Sequence, residues 1–160
     1  TVIYEAALNE YAPLGTEASV TNTATVSGTG ITPVTAAETV NAEAAPNLAI
    51  TKSVSPVPVT ENGTLTYTFR IQNYGSVAAT NTTGVVITDT FAPVLNNLTA
   101  ALNGTAWTAA TDYTYDEATG TFSSTAGAIT VPAATYTQDS TTGAWVVTPG
   151  ESTLVITGTV

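Results

Sequence analysis

Apolar and polar side chains alternate along most of this chain with a period of two, the spacing of a half-buried β-strand. The clearest case is Thr64–Ile71, where Leu65, Tyr67, Phe69 and Ile71 alternate with Thr64, Thr66, Thr68 and Arg70 behind a turn at Glu61-Asn62-Gly63. Upstream, Leu48, Ile50, Lys52 and Val54 share one face of a strand that Pro56 and Pro58 end at an exposed edge. Downstream, Asn73-Tyr74-Gly75 turns the chain and Gly84 opens VVITDTF, with Val85, Ile87, Asp89 and Phe91 on one face.

The same pattern reaches both ends. Val2, Tyr4, Ala6 and Leu8 predict a strand over residues 1–8, and Val20, Asn22, Ala24 and Val26 another over 18–27. Residues 34–45 read as a last edge strand or the start of a linker, so a seam between two units falls near 43–47. Asn103-Gly104 is a short-hairpin signal, and DYTYDEATGTF predicts a second hairpin turning at Glu117–Gly120. Short strands over 129–136 and 144–147 precede the last one, in which Leu154, Ile156, Gly158 and Val160 align. If a second copy followed Val160, that alternation would run in phase into Val2, Tyr4, Ala6 and Leu8, and a phase error of one residue would reverse every face. The expectation is one period of a tandem array, or one subunit of a head-to-tail fibre. Residues 1–45 would then complete a neighbouring copy, and 46–160 form the main sandwich.

No segment carries apolar spacing of 3.6, so the predicted fold class is all-β, an antiparallel sandwich with additional hairpins. Composition narrows the function. Two basic residues stand against 12 acidic ones, a formal charge of -10, which removes the cationic surface that phosphate backbones require. Nucleic acid and anionic membranes are therefore poor partners. No apolar run approaches about 18 residues, so no membrane insertion is expected. The chain has no Cys, Met or His, which excludes disulfides, thiolate nucleophiles, imidazole bases and the usual zinc sites. An enzyme would need paired acids in a cleft, and the acids here lie mostly in turns, so neither activity nor cofactor is expected.

The segments NLAITKSVSP, TYTFRIQNYGS, VVITDTF and VTNTATVSG together resemble the conserved-repeat surface domain of bacterial and archaeal cell-envelope proteins, a family labelled as being of unknown function. The tail from TDYTYDEATGTF to Val160 is similar to versions in Gram-positive surface proteins. The order is rotated: Asn22 and its neighbours, which close a domain in the family, here precede Lys52, which opens one. The resemblance implies an immunoglobulin-like sandwich, tandem repetition and extracellular display at the cell surface or cell wall, as stalk, adhesin, surface layer or fibre. It implies no enzyme activity.

Side-chain parity places Lys52, Asp89 and Asn22 on faces that otherwise point to the core. One reading is a buried Lys52–Asp89 pair with Asn22 hydrogen-bonded beside it, holding register. The sharper reading is a spontaneous isopeptide bond, as in the Gram-positive pilin and adhesin domains that this family resembles in architecture. Burial favours the neutral amine that attacks, Asn22 would supply the carboxamide carbon, and Asp89 would shuttle protons as ammonia leaves. With this chain order, Asn22 should come from an adjacent copy.

Other candidates carry less. Asp112, Asp116 and Glu117 lack the density of a calcium loop and read as a solvated turn. Asn62, Asn81, Asn97 and Asn103 each head an N-x-Thr triplet, a glycosylation acceptor only in a host that uses it. Trp107, Trp145 and the tyrosines are expected in core and cross-strand packing, or else on a platform for a surface glycan. Two functions compete: a structural brick whose partners are copies of itself, and an adhesin module binding a host or surface glycan.

Overall fold

Threonine and valine favour pleated, half-buried surfaces, and the strands they fill here are short and separated by Gly, Pro and Asn turns. The computed structural model describes residues 3–15 and 18–160, and its secondary structure is twelve strands with one 3₁₀ turn. They are β1 (Ser19–Gly28), β2 (Ile31–Asn41), β3 (Leu48–Ser55), β4 (Thr64–Asn73), β5 (Thr88–Thr90) and β6 (Asn96–Leu102), then β7 (Thr105–Ala106), β8 (Tyr113–Asp116), β9 (Thr121–Ser124), β10 (Thr135–Gln138), β11 (Trp145–Thr148) and β12 (Gly150–Thr159).

Two antiparallel sheets face each other across one core. The larger has the order β3-β4-β12-β6-β7, the smaller β5-β9-β8. The long strands at the centre of the larger sheet carry the cleanest alternation: Leu65, Tyr67, Phe69 and Ile71 from β4, and Leu154 and Ile156 from β12, are all buried. Phe91, just past β5, packs on Tyr67 with ring centroids 4.7 Å apart, and Phe122 of β9 lies 5.3 Å from Tyr113 of β8. Each fully buried aromatic or aliphatic side chain here removes enough apolar surface to stabilise by about 1.5–3 kcal/mol.

Polar ends are tied down where the core closes. Tyr115 donates its hydroxyl to the Leu95 carbonyl at 3.0 Å and accepts the Leu95 amide at 2.9 Å. At Gly158 a side chain would bring a Cβ within 2.8 Å of Leu95, so glycine lets β12 pass beneath that residue. The β6–β7 hairpin turns through Asn103 and Gly104, both at positive φ, the geometry for which this pair is selected.

The remaining strands form two separate hairpins, β1-β2 and β10-β11. The predicted edge strand over 34–45 is strand only to Asn41; its remainder is the linker to β3. The strand predicted over 129–136 is broken. Val131 makes a single bridge to Ala79, and Pro132, with no N–H to offer, stops it from extending, so pairing resumes only at Thr135. Residues 3–8 do not form the predicted strand: Ile3, Tyr4 and Leu8 are exposed and no ladder receives them. Val2 and Thr1, which that strand included, lie outside the described residues.

Candidate functional site

Parity in β3 and β4 agrees with expectation, since Ile50 lies opposite Ile71, Lys52 opposite Phe69 and Val54 opposite Tyr67. Leu48, Ile50, Lys52 and Val54 therefore sit on the face that β4 turns to the core. Yet β3 is exposed along its whole length, and Ile50 retains 52% of its accessible surface. The cause is a mismatch of sheet widths. Five strands face three, and β5 is the edge of the smaller sheet, so among the described residues no strand lies over β3.

At that open corner Lys52 and Asp89 meet. The ammonium donates to the Asp89 carboxylate and lies 4.8 Å from the ring centre of Tyr67, 5.3 Å from Phe91 and 5.4 Å from Phe69. Ring faces attract the cation, and Asp89 also accepts the Thr90 amide at 2.9 Å. This corrects the expectation of a buried pair: the Lys52 side chain remains 40% exposed and that of Asp89 18%. The amine and carboxylate are brought together; Asn22 is not. It lies on β1, opposite Glu38 of β2, exposed on both sides.

The β1-β2 hairpin has an unusual surface for an isolated element. Cross-strand partners share a face, so Val20, Asn22, Ala24 and Val26 stand beside Val40, Glu38, Ala36 and Val34. Most of that apolar face is uncovered, with Val26, Val34 and Val40 all exposed; at its Val20–Val40 end Ala6, Leu8 and Pro13 line a cleft with it. On the other face the Thr21 and Thr39 hydroxyls hydrogen-bond at 2.8 Å. Glu38 as a companion of Asn22 escaped the sequence reading; the alternation of Val34, Ala36, Glu38 and Val40 was the signal, and only the register with β1 made it a rung.

The hairpin's root is firmly placed. Asn73, fully buried at the end of β4, accepts the Asn47 and Gly75 amides, both at 2.9 Å, and donates to Val77 at 2.8 Å and Pro132 at 3.0 Å. Gly75 leaves no room for a Cβ, which would sit 2.1 Å from the Ala45 carbonyl. The linker from β2 to β3 is thus pressed onto the end of the larger sheet. Asn73 continues the inward parity of β4, a signal that a turn-forming Asn-Tyr-Gly reading concealed.

The other candidates are placed in ordinary roles. Asp112 accepts the Thr108 amide at 2.7 Å, and Asp116 accepts the Ala118 amide and the Thr119 hydroxyl, both at 2.9 Å, which holds its carboxyl below the usual range. Glu117 lies exposed in the same turn. Among the described residues no three His, Cys, Asp or Glu side chains gather as a metal site. Trp107 and Tyr115 pack against the core and Tyr113 lies within it, whereas Trp145 sits on the outlying β10-β11 hairpin. Arg70 makes a two-pronged pair with Glu151 at 2.5 and 2.6 Å, so both basic side chains of the chain are partnered by acids. No helix among the described residues is long and apolar enough to cross a membrane. Comparison with family models, with curated proteins and with solved structures finds no match.

Proposed function

We propose that this chain is a structural building block of an extracellular stalk or filament, an immunoglobulin-like unit joined head-to-tail by sharing strands between copies. One observation carries the reading: the chain leaves two apolar strand faces uncovered, the inner face of β3 and one face of the β1-β2 hairpin. Each is of the kind the other would cover. A self-association surface explains such patches better than solvent exposure does. The resemblance to envelope repeat domains agrees with it, as does a surface of hydroxyls with few charges.

The joint has the parts of a covalent lock. Once a second strand closes the corner, the Lys52 ammonium passes a proton to Asp89 and the free amine attacks Cγ of Asn22 from the neighbouring copy. The new C–N bond forms, the Cγ–Nδ2 bond breaks, and Asp89 carries the proton from the amine to the departing nitrogen, which leaves as ammonia. No oxidant or cofactor takes part. Lys52 is the nucleophile, Asn22 the electrophile and Asp89 the proton carrier.

Light scattering of the full chain over a range of concentrations, followed by intact mass, tests both steps. Concentration-dependent oligomers, and a heat-resistant ladder in which every joint is lighter by one ammonia, are expected. Lys52→Ala and Asn22→Ala should each remove the ladder while leaving non-covalent assembly. A monomer at every concentration overturns the building-block reading, and an assembly that retains all its ammonia overturns the lock.

A further inference from the structure

We infer that the β1-β2 hairpin of a second copy docks whole along the free edge of β5, with β1 antiparallel to β5 and Asn22 level with Asp89. This rests on the self-assembly reading above and specifies its joint. Strand number points there first: the smaller sheet has three strands facing five, and a docked hairpin makes the two sheets equal. The occupant needs no refolding, because β1 and β2 are already paired to each other.

The seat beside β5 belongs to β1 for two independent reasons. First, β2 contains Pro33, which lacks a ladder donor and is suited to an outer edge, whereas β1 contains no proline. Second, seating β2 there would press Glu38 against Asp89, two like charges in one pair, while β1 presents the neutral Asn22. With β1 inside, Glu38 falls on the far side of Asn22, above β3, and so draws the Lys52 ammonium to that side in the docked state that precedes the lock. The one polar rung among the apolar pairs from Val20–Val40 to Val26–Val34, Asn22 with Glu38, then lands on the Lys52–Asp89 pair of the acceptor corner.

Direction rules out closure within one chain. Take the end of the sandwich holding Leu48 and Asn73 as the top. β3 descends from it, and so does β5, because Asp89 meets Lys52 and Phe91 meets Tyr67 lower on β4. A seated β1 must then rise and β2 descend, leaving Asn41 at the bottom, level with Ser55. Its own β3 begins at the top, about 23 Å away along the strand axis. The linker up to Ala45, which Gly75 holds at the top, reaches at most about 14 Å. A hairpin rooted at the top of one copy therefore enters the bottom of the next. Such a joint is head-to-tail and heterologous, and an interface that does not close on itself extends into a filament.

The absence of cysteine makes the register measurable. With Asn22 beside Asp89 in an antiparallel pair, Thr23 faces Thr88. A chain carrying both Thr23→Cys and Thr88→Cys should form a ladder under mild oxidation that collapses on reduction. A mixture of the two single variants should bridge about tenfold faster than Thr25→Cys mixed with Thr88→Cys, since two residues of slip separate the thiols by roughly 7 Å, beyond disulfide reach. An internally bridged monomer from the double variant would overturn docking in trans. Faster bridging of Thr39→Cys with Thr88→Cys would place β2 in the seat and overturn the register. Oligomers of the parent chain with no bridge at Thr23 and Thr88 would overturn this joint alone, whereas a parent chain that never associates would overturn the reading beneath it.

Discussion

The two sides of the sandwich obey the same alternation and end in opposite states. Across β12 and β4, a side chain on the inner face meets the smaller sheet and loses its solvent: Leu154 and Ile156 are fully buried. One strand further out, β3 offers Leu48, Ile50 and Val54 on the same face, and all three stay exposed. The pattern specifies which way a side chain points; whether anything lies there depends on the width of the opposing sheet. In the proposed assembly these open apolar faces are the surfaces that dock, so the incomplete side is where that proposal is tested.

The largest effect that sharpens this contrast comes from the closed side. Phe122→Ala, at a site with no solvent exposure, should cost about 3–5 kcal/mol through lost transfer energy and the cavity left behind. Urea denaturation of the dilute chain measures it. In the same measurement Ile50→Ala should change stability by no more than about 0.5 kcal/mol, as at other exposed sites. In assembled material the order is expected to tighten, because docking would bury Ile50. Equal costs in the dilute chain would mean that β3 is already covered and would break the comparison.

Asn73→Ala is expected next in size, about 2 kcal/mol, because it strips partners from two amides and two carbonyls at the root of the linker. Its signature is local. Hydrogen exchange should quicken at Asn47 and Gly75 while Phe69 and Ile156 stay protected. A uniform loss of protection would assign Asn73 to the core as a whole rather than to the mount of the hairpin.

Much of this architecture was legible in the residues, and the gaps have physical causes. The side-chain period of two placed Leu65 to Ile71, Leu154 and Ile156 inward, and placed Lys52 and Asp89 on facing surfaces where they do meet. Turn chemistry located Asn103-Gly104 and the β8–β9 turn, because positive φ is a local demand. Exposure of Lys52 was not legible, since burial belongs to a neighbour several strands away. Glu38 was not either, because it becomes a companion of Asn22 only through register. Tyr4 and Leu8 show the limit most plainly: alternation marks a strand's faces, and without a partner for its backbone there is no strand.

The smallest effect separates the closed body from its outlying β10-β11 hairpin by pH. Asp139, at that hairpin's tip, accepts the Thr142 amide at 2.7 Å and the Thr141 amide at 2.8 Å, and these bonds hold its carboxyl below the ordinary range. Glu151 is lowered likewise by the Arg70 guanidinium. A carboxyl whose folded pKa is depressed contributes stability above its unfolded value, near 4. That contribution is lost as pH falls through the lower, folded value. Since Asp139 lies at a surface turn, its protonation should loosen the hairpin tip without unfolding the sandwich. Amide exchange at Thr141, Thr142 and Gly143 should therefore rise below about pH 4 faster than intrinsic exchange predicts, while β4 and β12 stay protected. Asp139→Ala, which removes the oxygen that accepts both amides, should show the loosened tip already at neutral pH and flatten the dependence. An unchanged profile in that variant would mean that the turn is held by Gln138, which donates to the Gly143 carbonyl at 2.9 Å, rather than by the carboxylate.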